Sequence, residues 1–149
     1  GINALAGHMD EWERRRGRVT VLTPHEGEFL RVGGDLSQGR TAAAEDFARR
    51  SGAVVVLKGP GTVVAGPDGR CRVNTTGNCG MAKGGSGDVL SGVVLALLGL
   101  GMDAFDACCC AVWLHGRAGD LAAQEKGQWG MTPTDLLERL PQALREVTE

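Results

Sequence analysis

The residues best suited to chemistry lie in a glycine-rich stretch, Thr75–Asp88, that ends in a carboxylate. Gly84, Gly85 and Gly87 come directly before a predicted helix, and Asp88 stands at its beginning. Glycines leave backbone N–H groups accessible, and a helix N-terminus carries unpaired donors, so the stretch is suited to bind phosphate or a developing oxyanion. Because a carboxylate repels a bound phosphate, Asp88 is interpreted as the general base for a hydroxyl that attacks a phosphoryl group.

The glycine motif alone leaves other interpretations open. An Asp after a Gly-rich turn is often only a helix N-cap. No Gly-Lys-Ser/Thr sequence follows the glycines, so they do not form a Walker loop, and they do not form a dinucleotide fingerprint at a first βα turn.

Three further residues follow predicted strands or begin a predicted helix. His25 comes after a proline that ends a strand, where ligand loops of α/β folds usually lie, although a lone histidine is more often structural. Glu28 could equally cap its own helix. Lys58 ends a strand and could be an ordinary solvated lysine, but the Gly-Pro-Gly that follows it favours close approach of a ligand.

The hydrophobic pattern predicts alternating strands and helices around these residues. The clearest strand, Ala53–Leu57, is uniformly apolar, which is typical of a strand covered on both faces and predicts a mostly parallel α/β sheet. The other predicted elements are, in chain order, a helix including Glu11–Arg16, a strand at Val19–Leu22, a short helix from Gly27–Leu30, a helix at Ala42–Arg50 with Thr41 as its N-cap, a hairpin of Thr62–Ala65 and Cys71–Asn74, helices at Asp88–Leu98 and Ala104–Gln124, and a last helix opened by Thr132 and Pro133.

Composition excludes several classes of protein. The chain has 149 residues, enough for one domain with a hydrophobic core, and its net charge of −2 argues against a nucleic-acid partner. The longest apolar run, Val93–Leu98, is too short to span a membrane. The five cysteines have no zinc-site spacing, so we expect no metal site built from side chains and interpret the cysteines as reduced and mostly buried, in a cytoplasmic protein.

The glycine-rich stretch belongs to a longer motif that resembles a known family. The segment from Asn74 to Gly92 resembles the signature of the NAD(P)H-hydrate dehydratases, a branch of the ribokinase-like superfamily, and Thr23–Phe29 and Leu57–Thr62 agree in order and spacing. The opening Gly1–Leu5 resembles the end of a family segment whose aspartates would lie upstream. The resemblance implies a single, partial three-layer α/β/α domain over residues 1–149 that lacks the family's N-terminal part.

The resemblance also implies a reaction and a set of site residues. Members of the family use ADP or ATP to phosphorylate the hydroxyl of hydrated NADH or NADPH, and elimination of phosphate then restores the dinucleotide. His25 and Glu28 would line the hydrate pocket, and Asp88 would contact the reacting hydroxyl. The implied nucleotide contacts are Lys58, Gly59, Pro60, Gly61 and Thr62, together with Cys79, Gly80, Met81, Ala82, Lys83, Gly84, Gly85, Ser86 and Gly87.

Further expectations concern the metal, the assembly and the alternatives. Mg²⁺ would accompany the nucleotide, held mainly by phosphate oxygens and water. Related microbial enzymes imply a homotetramer. A ribokinase-like kinase of a vitamin-precursor alcohol would share the glycine loop and Asp88, but Thr23–Phe29 argues against it. A non-catalytic nucleotide-binding domain would tolerate Asp88→Asn, whereas an enzyme would lose turnover.

Overall fold

The computed structural model describes residues 1–8, 11, 14–15 and 17–148. It divides into two compact units, Gly1–Asn74 and Thr75–Glu149, referred to below as the first unit and the second unit. Half of the predicted helix at Glu11–Arg16, namely residues 12, 13 and 16, lies outside the described residues.

The first unit combines a four-stranded sheet with two α-helices in its described part. A 3-10 turn at Ile2–Leu5 comes first. The elements that follow in chain order are β1 (Val21–Leu22), α1 (Glu26–Arg31), α2 (Arg40–Ser51), β2 (Val54–Leu57), β3 (Val63–Ala65) and β4 (Cys71–Val73).

The sheet is mixed, with the strand order β1-β2-β3-β4. Strands β1 and β2 are parallel, with Val21 opposite Val54, because α1 and α2 carry the chain back between them. Strands β2, β3 and β4 are antiparallel neighbours. The expectation of a mostly parallel sheet is therefore wrong for these four strands, since short turns join β2 to β3 and β3 to β4, and such turns connect antiparallel strands. The predicted hairpin of β3 and β4 is confirmed.

Burial follows the apolar pattern of β2 and of the helices beside it. All four residues of β2 are buried, as its uniform hydrophobicity predicted. The rings of Phe29 in α1 and Phe47 in α2 lie 5.2 Å apart between centroids and are both almost completely buried. Helix α2 begins at Arg40 with Gly39 as its N-cap, so the predicted cap at Thr41 is wrong. Gly39 has φ of 88°, a conformation open to glycine at little cost.

The second unit is helical. Its elements are a 3-10 turn at Cys79–Met81 and the helices α3 (Ser86–Gly99), α4 (Ala104–Gly130) and α5 (Pro133–Thr148). Helix α3 starts two residues before the predicted Asp88, because Gly85 can take the left-handed cap conformation that opens it. Helix α4 runs beyond the predicted Gln124 and is kinked at Gly127, where φ is 71°.

Among the described residues, small apolar clusters join the last two helices of the second unit. One joins Leu114, Ala118 and Leu121 of α4 to Ala143 of α5. Another joins Ala122 of α4 and Met131 to Leu136 of α5. No helix in the described part of the chain is both long and apolar enough to cross a membrane.

The cysteines are free thiols, but the expectation that most of them are buried is wrong. Only Cys108 is buried, and its pKa is raised to about 12 because burial penalises the thiolate. Cys109 and Cys110 turn to more open faces of α4, because adjacent residues of a helix point in different directions.

Candidate functional site

The beginning of α3 depends on a glycine in a conformation that other residues avoid. Gly85 caps the helix with φ of 97° and ψ of −24°. A Cβ on this residue would also lie 3.2 Å from Cγ of Pro133, which is close for two carbon atoms. The left-handed cap turns the chain sharply, so that the glycine-rich stretch runs directly into the first turn of the helix.

Unpaired backbone donors accompany Asp88 in this first turn. The amides of Gly84, Gly85 and Gly87 donate no hydrogen bond within the described residues, whereas the amide of Asp88 bonds the carbonyl of Gly85 at 3.1 Å. Asp88 itself is exposed. Free N–H groups at the positive end of a helix bind anions, and an exposed carboxylate beside them can accept a proton, so the arrangement suits phosphoryl transfer.

A buried histidine of α4 holds the start of helix α3 by a hydrogen bond. Nε2 of His115 in α4 lies 2.9 Å from the carbonyl oxygen of Ser86, and both residues are buried. A carbonyl oxygen only accepts, so Nε2 carries the proton of this hydrogen bond. His115 therefore positions the first turn of α3.

Lys83 connects the glycine-rich stretch to the end of α4. Its ammonium donates to the carbonyl oxygens of Gln128 at 3.3 Å, Trp129 at 3.0 Å and Met131 at 2.5 Å. An ammonium has three N–H donors, and these three acceptors account for all of them. In this structure the charge of Lys83 thus complements the negative end of a helix, which is a different position from the phosphate contact that the resemblance implies.

Two more contacts join the same segments. Sγ of Cys79 lies 2.8 Å from Oε1 of Gln128. Gly80 packs so closely on the same residue that a Cβ would lie 2.5 Å from the Gln128 carbonyl oxygen and 2.8 Å from its Cα. A glycine is required here because the obstacle is backbone, which cannot rotate away.

The chain between α4 and α5 is held by a carboxylate. Asp135 accepts hydrogen bonds from Lys126 Nζ at 2.5 Å, from the Thr132 amide at 2.7 Å and from Thr132 Oγ1 at 2.8 Å. The bond from Lys126, followed by the two from Thr132, lowers the pKa of Asp135 to about 2. Thr132 caps α5 as predicted, and its hydroxyl accepts from the Asp135 amide at 3.4 Å.

This carboxylate makes stability depend on pH in the acid range. A carboxyl whose pKa is lower in the folded state than its ordinary 3.8 stabilises the fold above that value. We therefore expect Asp135→Asn to lower the Tm at pH 7, and we expect the difference from the unaltered protein to shrink as pH falls from about 4 to about 2. Thermal unfolding at pH 7, 4 and 2 tests this, and a Tm difference that stays constant would contradict it.

In the first unit, His25 and Glu28 form the N-terminal cap of α1. Nδ1 of His25 accepts from the Glu28 amide at 3.2 Å, and Oε2 of Glu28 accepts from the His25 amide at 2.9 Å. This reciprocal pair is a capping box, so the open alternative that Glu28 caps its own helix is confirmed. Because Nδ1 accepts, the neutral ring carries its proton on Nε2, which lies 3.6 Å from Glu28 Oε2.

Lys58 joins the same two residues. It pairs with His25 in a parallel bridge, its amide donates to the Pro24 carbonyl at 2.8 Å, and its Nζ lies 3.9 Å from Glu28 Oε2. Burial alone would raise the pKa of Glu28, but the hydrogen bond from the His25 amide and the nearby Lys58 and Arg31 cations outweigh burial and lower that pKa. The structure thus brings together His25, Glu28 and Lys58, three of the residues that the sequence singled out.

Arg40 shapes the turn that follows Lys58, and the sequence interpretation missed it. Its guanidinium donates to the carbonyl of Leu57 at 3.0 Å, to that of Gly61 at 3.2 Å and to that of Pro60. Arg40 Nε also lies 3.0 Å from Oε1 of Glu26. A Cβ on Gly59, where φ is 151°, would lie 2.6 Å from the same guanidinium. Arg40 therefore fixes the backbone of this turn, a role for which its planar set of donors is suited.

Replacing Arg40 with Lys should loosen this turn. An ammonium cannot reproduce the fork of a guanidinium, so carbonyls between Leu57 and Gly61 would lose their donor. We expect the free energy of unfolding to fall by about 1–3 kcal/mol. Urea unfolding measures this, with Arg49→Lys as the matched control, because Arg49 is an exposed arginine of the same helix with one long bond to a carbonyl. Equal stabilities of the two variants would contradict the assignment.

The sequence interpretation also missed the face of α4 on which the glycine-rich stretch packs. Gly116, Gly119 and Asp120 share one face of α4, and Thr76, Gly77, Asn78 and Met81 contact that face. The available signal was the spacing itself. Two glycines three residues apart inside a predicted helix, followed at once by an acid, indicate a face that another backbone approaches closely.

Solved structures with a similar fold support the predicted fold class. A ribokinase-like superfamily protein from Enterococcus faecalis matches with a TM-score of 0.74 at 31% identity, over 85% of this chain and 44% of that one. The ADP/ATP-dependent NAD(P)H-hydrate dehydratase from Bacillus subtilis, co-crystallized with ATP and Mg²⁺, matches with a TM-score of 0.82 at 38% identity, over 87% of this chain and 48% of that one. The fold is ribokinase-like α/β, as predicted.

Sequence comparison identifies the family. The model of the NAD(P)H-hydrate dehydratase family matches residues 1–142, and the chain belongs to this family. A bifunctional NAD(P)H-hydrate repair enzyme from Thermofilum pendens is 46% identical over the whole of this chain and 29% of its own length. An ADP-dependent (S)-NAD(P)H-hydrate dehydratase from Neisseria meningitidis is 44% identical over 85% of this chain and 44% of its own length. The chain therefore spans less than half the length of these relatives.

Proposed function

We propose that the protein dehydrates hydrated NADH or NADPH, with ADP or ATP as the phosphoryl donor. One observation carries the proposal beyond family membership: the free amides of Gly84, Gly85 and Gly87 adjoin an exposed Asp88 in the first turn of α3. The amides can bind a phosphate and the carboxylate can accept a proton, and phosphoryl transfer to a hydroxyl needs both. Relatives named for this repair reaction support the choice of substrate.

The proposed reaction has two steps. Asp88 accepts the proton of the hydrate hydroxyl as its oxygen attacks the terminal phosphorus, so that a new P–O bond forms while the bridging P–O bond breaks and releases AMP from ADP. The phosphate ester then loses its C–O bond and a proton from the neighbouring carbon, which restores the ring double bond and releases phosphate. Phosphate leaves more readily than hydroxide, which explains why a dehydration would consume a nucleotide.

Other residues would bind the two substrates. In the second unit, we propose that the stretch Cys79–Gly87 contacts the nucleotide, with backbone amides as its main donors. In the first unit, we propose nucleotide contacts from Lys58–Thr62, a turn that Arg40 holds in place. His25 and Glu28 would contact the hydrate. The side chain of His25 is exposed, and its Nε2 proton takes no part in the capping hydrogen bonds.

Mg²⁺ is the metal that this donor set fits. The candidate site offers backbone N–H groups and the single carboxylate of Asp88, so a divalent ion would be held chiefly by phosphate oxygens and water, as Mg²⁺ prefers. Bound there, the ion would neutralise charge on the transferring phosphoryl group. The Bacillus subtilis relative was co-crystallized with ATP and Mg²⁺.

The reaction products distinguish this function from a kinase. We expect the full-length protein to convert ADP to AMP only when hydrate is present, with inorganic phosphate and restored dinucleotide formed in equal amounts. A kinase of a small alcohol would instead give a stable phosphate ester and release no phosphate. Chromatography of the nucleotides with a phosphate assay makes the measurement, and a stable phosphorylated product without free phosphate would contradict the dehydratase function.

The finer aspects of the proposal concern the domain, assembly and location. We propose that residues 1–149 form part of one ribokinase-like domain, that the protein assembles as a homotetramer and that it acts in the cytoplasm. The match to the family supports the domain, and the five free thiols support the location. The tetramer rests on the resemblance to related microbial enzymes. Light scattering of the purified full-length protein tests the tetramer, and a monomeric mass would contradict it.

A further inference from the structure

A chain of hydrogen bonds ties the glycine-rich stretch of the second unit to α4. Oδ2 of Asp120 accepts from the amide of Gly77 at 2.9 Å, and its Oδ1 accepts from Nδ2 of Asn78 at 2.9 Å. Oδ1 of Asn78 accepts in turn from the amide of Gly80 at 3.0 Å and caps the 3-10 turn. One carboxylate thereby sets the backbone on both sides of Asn78.

Each group in this series of hydrogen bonds has a fixed role as donor or acceptor. Both oxygens of Asp120 accept, the amide group of Asn78 donates at one end and accepts at the other, and the Gly80 amide donates. Asn78 can donate to position 120 and accept from Gly80 in only one orientation of its amide. In that orientation, position 120 must offer two acceptors, one for Asn78 and one for the Gly77 amide. Asp120 is half-buried on α4, so an unpaired donor beside it would lose its hydrogen bond without full solvation in exchange.

The surrounding contacts are rigid, so this conformation has little freedom to adjust. Thr76 donates to the Trp113 carbonyl at 3.0 Å. Gly77 has φ of 101°, and Gly80 lies directly against the backbone of Gln128. The stretch then continues from Met81 to the glycines before Asp88. We therefore expect a change at its start to alter the positions of the unpaired amides of Gly84, Gly85 and Gly87.

We propose that Asp120 is a positioning residue for nucleotide binding, which acts through Asn78 to hold the glycine-rich stretch in its binding conformation. This inference rests on the proposed function, because the stretch matters only if it binds a nucleotide. Asp120 touches neither the nucleotide nor the reacting atoms in this role. Its carboxylate matters as a double acceptor, and the negative charge at position 120 is not itself required.

An exchange of the two side chains tests this directly. Asp120→Asn places an amide N–H against a donor, and Asn78→Asp places two carboxylates against each other, so each single variant breaks the chain of hydrogen bonds. The double variant Asn78→Asp with Asp120→Asn restores it. The new amide at position 120 would accept from Gly77 and donate to the new carboxylate at position 78, which would accept from Gly80. The net charge is the same as in the unaltered protein.

The measurement is the Kd for ADP by calorimetry in the full-length protein and the three variants. We expect each single variant to raise the Kd by about tenfold or more, and the double variant to return within about threefold of the unaltered protein. Asp106→Asn, an exposed acid in the first turn of the same helix, is the control and should leave the Kd unchanged.

Each other outcome overturns the inference in a recognisable way. Single variants with an unchanged Kd would show that the hydrogen bonds do not position the stretch. A double variant that binds ADP no more tightly than the single variant with the higher Kd would show that the charge at position 120 is what matters. Failure of the unaltered protein to bind either ADP or ATP would overturn the proposed function together with this inference, and that result differs from nucleotide binding that the substitutions leave unchanged.

Discussion

Asp88→Asn is expected to lower kcat by about 10²–10⁴-fold and to leave nucleotide affinity unchanged or slightly improved. The amide has nearly the shape of the carboxylate but cannot accept the hydroxyl proton. Because a carboxylate repels phosphate, its removal should not weaken ADP binding. The measurement combines steady-state dehydration rates with the Kd for ADP in the full-length protein.

The matched control for this variant is Asp106→Asn. Asp88 in α3 and Asp106 in α4 are both exposed and both lie in the first turn of a helix, so their replacement removes the same favourable interaction with the helix dipole. We expect Asp106→Asn to keep full turnover. A kcat for Asp88→Asn within a few-fold of the control would mean that Asp88 is only a helix-capping residue.

Three glycine-to-alanine substitutions should rank by what the added methyl group meets. A Cβ on Gly116 would lie 2.7 Å from the carbonyl carbon of Thr76 and 2.8 Å from its oxygen, which are backbone atoms. On Gly119 it would meet the side chain of Met81, including Cγ at 2.8 Å and Cε at 3.0 Å, and that side chain is flexible. On Gly92 it would have no neighbour within 4 Å.

These environments predict opposite signs of the effect on stability. Gly92→Ala should raise the free energy of unfolding by up to about 1 kcal/mol, because alanine favours the helix interior. Gly119→Ala should cost about 1 kcal/mol, and Gly116→Ala about 3 kcal/mol, since backbone cannot move aside as a methionine can. Urea unfolding of the full-length variants measures the series. Equal stability of Gly116→Ala and Gly92→Ala would contradict the close approach of Thr76 to α4.

The sequence predicted the local features of the candidate site well. The glycine-rich stretch, the helix after it and the strand before Lys58 all depend on neighbouring residues, and backbone preferences act over that range. The cap at Thr132 and the turn between β3 and β4 were predicted for the same reason. The starts of the helices that Gly39 and Gly85 cap were misplaced, because glycine caps by its conformation and offers no side-chain signal.

Features that depend on distant residues could not be predicted in this way. Arg40 contacts carbonyls some twenty positions away in the chain, and Asp120 contacts amides more than forty positions away. No single-sequence pattern specifies such pairs. The antiparallel pairing of β2 with β3 was missed because an apolar strand is compatible with either direction, and only the short turn at 58–62 decides between them.

The measurement that tests the central claim most directly is recovery of nicotinamide absorbance from hydrated NADH or NADPH. The full-length protein would be incubated with hydrate, Mg²⁺ and ADP or ATP, beside its Asp88→Asn variant. We expect nucleotide-dependent recovery that the variant loses while it still binds nucleotide. A folded, nucleotide-binding protein that restores no absorbance with either nucleotide would contradict the dehydratase function and favour a small-alcohol kinase.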